Sequence, residues 1–418
     1  MARQKKNIVA GLDIGSSAVR MAVAQFDNDD NSSLQILAAS EVASQGVHKG
    51  DISSIEDVVS SISAALERSE RMVGVPIDSV WVGLSGTNIM SLTNKGVVAV
   101  SKPDGEISEE DINRALEAAR AVSTPLNYEI LHVMPKSFIV DGQHKIKDPV
   151  GMTGTRLEVD AQIILTPSSQ VKNLTKAIYR AGLDVEDLVL SIISTAEAVV
   201  TDRQKELGVV VVDLGGSTTS LAIYEEGDII HTAVIPVGSD HITNDIAIGL
   251  RTSIDVAEKV KLEYGDCRGD KISKNDGFDL ADLGANESEV IKRKYLAEII
   301  EARVEEILEK VDDELKKIHR SGLLPAGVIF VGGGANLPGI IEAGKKYLRL
   351  PATLGYPLKI SSITEKVNDL GFSTAVGLVK WGGLMENTSS VRPKLNLNTG
   401  RISGVSNQLK KIIKSLVP

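Results

Sequence analysis

The sequence predicts an α/β protein made of two related halves, with a smaller α/β unit inserted in the first half and a separate helical element at the C-terminus. Three observations predict it. An aliphatic strand runs straight into an aspartate and a glycine turn twice, in IVAGLDIGSSAVRMAVA (residues 8–24) and in VVVVDLGGSTTSLAI (residues 209–223). Aligning Asp13 with Asp213 puts Gly15 on Gly215, Ser17 on Ser217, and Met21 and Val23 on Leu221 and Ile223, which is the signature of an internal duplication. A third junction of strand and glycines, VIFVGGGANLPGI, follows at residues 328–340, and the pattern between the first two junctions changes from about residue 84.

Taken in order, residues 8–24 read as a strand hairpin and 55–71 as an amphipathic helix that stops before Gly74 and Pro76. A strand is predicted over 95–100. Ser108 followed by Asp111 signals a capping box for the helix that continues through EEDINRALEAARAVS. Strands are predicted around 130–140 and 158–165, a helix over 171–181, a strand over 185–193 and a helix over 194–205, leading into the second hairpin. Residues 266–289 are polar and glycine-rich and read as a loop region; a long helix with an aliphatic stripe is expected over 289–319. Residues 387–403, which contain Pro393, read as a linker, and 404–418 as a short element of their own.

Composition narrows the function. With 418 residues and 42% hydrophobic content the chain has room for two to four domains, and only 3% aromatic residues means aliphatic packing. Cys267 is the single cysteine, which excludes an intramolecular disulfide framework and fits a reducing compartment. The basic start, MARQKKNIVAGLDIG, is expected to be neither a signal peptide nor a spanning helix, because Asp13 breaks its short apolar run. A net charge of −10 argues against general nucleic-acid binding. That charge is unevenly spread: beyond Glu386 no acidic residue occurs, while Arg392, Lys394, Arg401, Lys410, Lys411 and Lys414 are basic.

The glycine turns point to a nucleotide. A polyphosphate needs several backbone N–H groups converging on it, and a side chain at the closest approach would hold the backbone away. Gly15, Ser16 and Ser17 in one hairpin, and Gly215, Gly216, Ser217 and Thr218 in the other, would hold the β- and γ-phosphates from two sides. Gly332, Gly333 and Gly334 would let the ribose and α-phosphate lie on the backbone. Asp13 and Asp213, each at a strand end, would face Mg2+ through water, since that ion keeps most of its hydration shell. His132 has no His, Cys or carboxylate partner at metal-ligand spacing and reads as a packed histidine; Trp81 and Trp381 read as core anchors.

This three-part pattern resembles the actin-like ATPase superfamily, in which two ribonuclease-H-like domains close on ATP. The resemblance implies that Glu197, in STAEAVV, is the water-positioning acid of the connecting helix, and that Glu258 and Lys261, in AEKVKLEYG, edge the adenine and ribose. Two longer segments, HVMPKSFIVDGQHKIKDPVGMTGTRLEV and VIPVGSDHITNDIAIGLRTSIDVAEKVK, resemble the FtsA family of bacterial division proteins over nearly the whole chain. That resemblance implies a first actin-like domain (1A) over 1–83, 163–205 and 359–386, with the family's own insert subdomain (1C) over 84–162. It also implies a second domain (2A) over 206–240 and 291–358, with subdomain 2B over 241–290. One departure stands out: DLGGSTTS has Ser217 where the family more often has a third glycine.

On a helical wheel Val405, Leu409, Ile412, Ile413, Leu416 and Val417 share one face and Lys410, Lys411 and Lys414 the other. At ~1.5 Å per residue the segment is too short to span a bilayer, so it is expected to lie in the interface of an anionic membrane. The resemblance then implies an ATP- and Mg2+-binding protein at the cytoplasmic face of the cell membrane at the division site, which forms filaments, tethers the tubulin-like FtsZ by its C-terminal tail and meets other division proteins. Whether it hydrolyses ATP stays open at this point. So do two alternatives: an actin-like scaffold of the pilus machinery, and a small-molecule kinase of the same superfamily.

Overall fold

The computed structural model describes residues 8–26 and 34–390, with no side chains described for 386–390; the predicted tail helix and all but the first four residues of the predicted linker lie outside that range. The chain begins with the predicted hairpin, β1 (Ile8–Ile14) and β2 (Ala18–Phe26), followed by β3 (Leu34–Ala43). A tight hairpin, β4 (Val47–His48) and β5 (Asp51–Ile52), leads to α1 (Ile55–Val73). Ser54 caps the start of α1 and left-handed Gly74 ends it. Then β6 (Ser79–Leu84) pairs in parallel with β1.

The insert follows as β7 (Met90–Ala99), α2 (Glu109–Arg120), β8 (Tyr128–Val140), β9 (Gln143–Ile146) and β10 (Arg156–Pro167). Its four strands form a separate sheet with a core of its own, in which Ile112, Leu116, Leu157 and Ile163 meet. At the start of α2 the Asp111 carboxylate accepts the Ser108 N–H at 2.9 Å and its hydroxyl at 2.7 Å, so the predicted capping pair forms.

The first lobe resumes with α3 (Ser168–Arg180), β11 (Asp184–Leu190), α4 (Ser191–Val199) and α5 (Asp202–Leu207). The strand predicted to run to 193 therefore stops at Leu190. The single helix predicted over 194–205 is two, because Val200 and Thr201 are extended and Thr201 caps α5. The second lobe comprises β12 (Val209–Leu214), β13 (Thr219–Glu225), β14 (Asp228–Ile235), α6 (Ser239–Gly249), α7 (Ile254–Tyr264), β15 (Gly277–Asp279), β16 (Val290–Lys292), α8 (Arg293–Lys317), β17 (Gly327–Val331), α9 (Ile340–Leu348) and β18 (Ala352–Leu354). The predicted loop region contains β15, which pairs with β16 where the first turn of the long helix is predicted, so that helix begins only at Arg293. The chain returns to the first lobe through β19 (Ser361–Ser362) and α10 (Ser373–Ser390), a helix that reaches four residues into the predicted linker.

The duplication is visible in the sheets. The first reads β11-β6-β1-β2-β3-β19 and the second β18-β17-β12-β13-β14, so the two hairpins occupy equivalent places and only β19 is extra. Both faces of the second sheet are covered, which explains four consecutive valines. Val210 and Val212 enter the core under α6–α9, whereas Val209 and Val211 enter the core that joins the lobes. That joining core is built on α4 and α10, which pack so closely at Gly377 that a Cβ there would lie 1.9 Å from the Ser194 carbonyl oxygen.

Candidate functional site

The two aspartate turns close in the same way. In each, the first glycine N–H donates back to the residue three positions on, Gly15 to Ala18 and Gly215 to Thr218, both at 3.0 Å. The N–H groups of Ser16, Ser17, Gly216 and Ser217 meet no acceptor among the described residues, so both turns present unmatched donors. The turns face each other across the lobes: the Ser217 hydroxyl donates to that of Ser16 at 2.5 Å. Ser17 lies over Gly216 and bonds to the Asp240 carboxylate at the start of α6.

Between the turns stand Asp13 and Asp213. Burial, opposed by Arg20 and reinforced by the charge of Asp213, pushes the Asp13 carboxyl up to about 7. Burial likewise pushes Asp213 up to about 6, opposed by Arg20 and by the Thr374 hydroxyl, which donates to it at 3.4 Å. Two desolvated carboxylates from opposite lobes make a place for a cation. No cluster of three or more potential metal ligands occurs among the described residues. A pair of carboxylates opposite a polyphosphate fits Mg2+, which takes one or two carboxylates and fills its remaining positions with phosphate oxygens and water.

Sequence reasoning missed Arg20. It faces Asp13 across β1 and β2, donates from Nε to Glu41 at 2.7 Å and lies over the Phe372 ring. The hairpin register puts position 20 opposite Asp13, but no local pattern tells a cation beside two acids from an exposed strand charge. Also missed was the 238–240 segment: Ser239 and Asp240 donate their N–H groups to the carbonyls of Gly215 and Gly216 at 2.9 and 2.8 Å, seating α6 on the second turn.

The predicted outer residues divide. Lys261 is buried and joins Glu258 at 2.7 Å and the Thr243 hydroxyl at 2.8 Å, next to the start of α6, so Lys261 is turned in towards the second turn while Glu258 stays partly exposed. Glu197 is not brought to the site. Its carboxylate pairs with Lys205 at 2.5 Å, beside Tyr224, and two residues earlier on the same helix Thr195 bonds to Thr374 at 2.9 Å, the side chain that reaches Asp213. Positions two apart in a helix lie about 200° apart, so the face that carries Thr195 to the aspartates turns Glu197 away.

The third glycine turn also differs in detail from its predicted use. Gly332 (φ 84°) has no room for a Cβ, which would lie 2.1 Å from the Asp213 carboxylate, so it serves the aspartate. Gly334 is packed against Leu214 and Ser239, and Gly333 alone meets open space. His132 accepts the Leu190 N–H at 3.0 Å, and burial pushes it down to about 4; Cys267 is buried and pushed up to about 12. Neither contributes to the site.

Two lobes that repeat one sheet order, joined by two packed helices and meeting at paired aspartate turns, define an actin-like ATPase fold. Solved structures agree in fold: the PilM–PilN type IV pilus biogenesis complex matches with a TM-score of 0.65 at 16% identity over 90% of this chain and 98% of that one. MreB5 of Spiroplasma citri bound to ADP matches with a TM-score of 0.55 at 14% identity over 92% and 99%.

Sequence comparison is more specific. The chain belongs to the FtsA family of cell-division proteins: the family model described as cell division protein FtsA matches residues 210–377, and the SHS2 domain inserted in FtsA matches 86–165. The cell division protein FtsA of Bacillus subtilis (strain 168) is 38% identical over 374 residues, 90% of this chain and 83% of that protein. Those of Pseudomonas aeruginosa and Escherichia coli (strain K12) are 35% and 32% identical, each over at least 90% of both chains.

Proposed function

We propose that this cell-division protein binds ATP with Mg2+ between its two aspartate turns, assembles on the cytoplasmic membrane through residues 404–418, and tethers FtsZ there. The observation that carries the nucleotide reading is the matched pair of turns, each with unmatched backbone donors, flanking a partly buried, desolvated carboxylate pair. Gly15, Ser16 and Ser17 would hold phosphate oxygens from the first lobe and Gly215, Gly216, Ser217 and Thr218 from the second. Asp13 and Asp213 would orient the water shell of the ion, which supplies the positive charge that the phosphates and both carboxylates lack. Lys261 and Glu258 would fix the ribose side, and Gly333 leaves the backbone open to the ligand.

Assembly follows from the energetics of the tail. Each lysine near an anionic surface contributes about 1 kcal/mol, so Lys410, Lys411 and Lys414 with a short aliphatic face give only reversible attachment of one copy. A filament carrying many tails binds with the avidity of a multivalent ligand. Family membership supports the FtsZ tail and other division proteins as partners and the division site as the location. The experiment is sedimentation with anionic liposomes, with and without Mg-ATP, followed by electron microscopy and addition of FtsZ. Lipid-bound filaments that recruit FtsZ are expected; a protein that stays in the supernatant under all conditions contradicts the reading.

A further inference from the structure

Ser217 carries a side chain at the point where the two lobes come closest. Its hydroxyl uses its one proton on Ser16 of the first lobe, at 2.5 Å, and accepts the backbone N–H of Lys49 at 3.2 Å. Lys49 sits in the β4–β5 hairpin with φ 50°, a left-handed conformation fixed by the turn, so its N–H is aimed by the fold rather than by chance. Ser217 is only 7% exposed, although it lies in a turn between two lobes. One hydroxyl therefore bonds two separate segments of the first lobe from the second.

We propose that Ser217 is a positioning residue that governs the entry of a polyphosphate between the turns, by holding Ser16 and Lys49 against the second lobe. This inference rests on the nucleotide reading of the site. A polyphosphate that passes between the turns has to part both hydrogen bonds, and the apparent affinity is lowered by the fraction of molecules in which they are parted. Because the turn N–H groups are available without it, the Ser217 hydroxyl is not required for grip once the phosphates are in place.

The test is stopped-flow binding of a fluorescent ATP analogue in Mg2+. Ser217→Ala should bind about five- to tenfold faster, the effect of losing a modest net hydrogen-bond contribution, with dissociation changed by less than about twofold. Ser16→Ala should give the same direction of change, and the double variant little more than either alone. Ser217→Thr, which keeps the hydroxyl, should return to the parent rate. Unchanged or slower association together with faster dissociation would show that Ser217 is an ordinary phosphate ligand and overturn the proposal.

A second measurement does not depend on nucleotide. Spin labels at Ser60→Cys and Glu263→Cys, both exposed and in different lobes, report the interlobe distance, and Cys267 is too buried to label. In the absence of added nucleotide, Ser217→Ala should spread the distribution towards longer distances. Superimposable distributions overturn the proposal even if nucleotide binding is intact. A shifted distribution in a protein that binds no nucleotide would retain the latch and sink the nucleotide reading instead.

Discussion

Asp13 and Asp213 stand at matching ends of β1 and β12, one in each lobe, and the charge of Asp213 adds to burial in lifting the Asp13 carboxyl to about 7. The fold thus keeps two acids desolvated within electrostatic reach of each other, with Arg20 as the cation that lowers both. Such an arrangement costs stability when both are ionised and returns it when a divalent ion sits between them.

The pH dependence follows in sign. Both carboxyls bind a proton more tightly folded than unfolded, so between about pH 4 and 7 the native state holds more protons and stability falls as pH rises through that window. Thermal midpoints measured in EDTA from pH 5 to 8 should decline for the parent. Asp213→Asn, which removes one partly buried charge, should decline less and melt about 1–3 °C higher at pH 8. Equal slopes for the two proteins would contradict the assignment.

Glu197 should matter for folding and not for nucleotide. Its removal leaves Lys205, 9% exposed, without its counter-charge beside Tyr224. Glu197→Ala is expected to lower stability by roughly 1–3 kcal/mol, the partly exposed end of the range for breaking such a pair, while ATP affinity stays within about twofold. A denaturant melt and a nucleotide titration on the same sample decide it; lost turnover with unchanged stability would restore the water-positioning role.

Lys261→Met should weaken nucleotide binding by about tenfold, the effect of losing one charge-assisted bond at the ribose side, with little loss of fold. Glu258 then keeps its bond to Thr243 at 2.5 Å and is partly solvated. Equilibrium titration with a fluorescent analogue gives the answer, and parent-like affinity would remove Lys261 from the site.

The proposed membrane role of residues 404–418 predicts that exchanging Ile412 and Ile413 for Glu removes aliphatic burial and adds repulsion from anionic lipid. The variant should fold and bind nucleotide like the parent but remain in the supernatant with liposomes. Co-sedimentation at parent levels would mean that the membrane contact lies elsewhere.

What the sequence made legible was whatever rests on local pattern. The two hairpins, the end of α1 at Gly74, the Ser108–Asp111 pair that opens α2 and the equivalence of Asp13 with Asp213 all follow from short-range spacing, and the structure places them as read. What it hid depends on direction in space. The helical face that carries Thr195 to Thr374 and Asp213, and therefore turns Glu197 to Lys205, cannot be assigned until α10 is docked, because both faces of α4 are apolar enough to be buried. Arg20 was equally obscure: nothing in RMAVAQF distinguishes a cation beside two acids from an exposed strand charge. Gly332 illustrates the third kind of miss, since its missing side chain answers to the Asp213 carboxylate, a contact between residues far apart in the chain.

The central claim, that Asp13 and Asp213 together make a metal-dependent ATP site, is tested most directly by calorimetric titration of ATP into the parent and into Asp13→Ala and Asp213→Ala, each in Mg2+ and in EDTA. Saturable binding at one site per chain is expected for the parent in Mg2+, weakened by about tenfold or more, roughly 1.4 kcal/mol or more, when either the metal or either carboxylate is removed. The same affinity in every sample, with or without the ion, would contradict it.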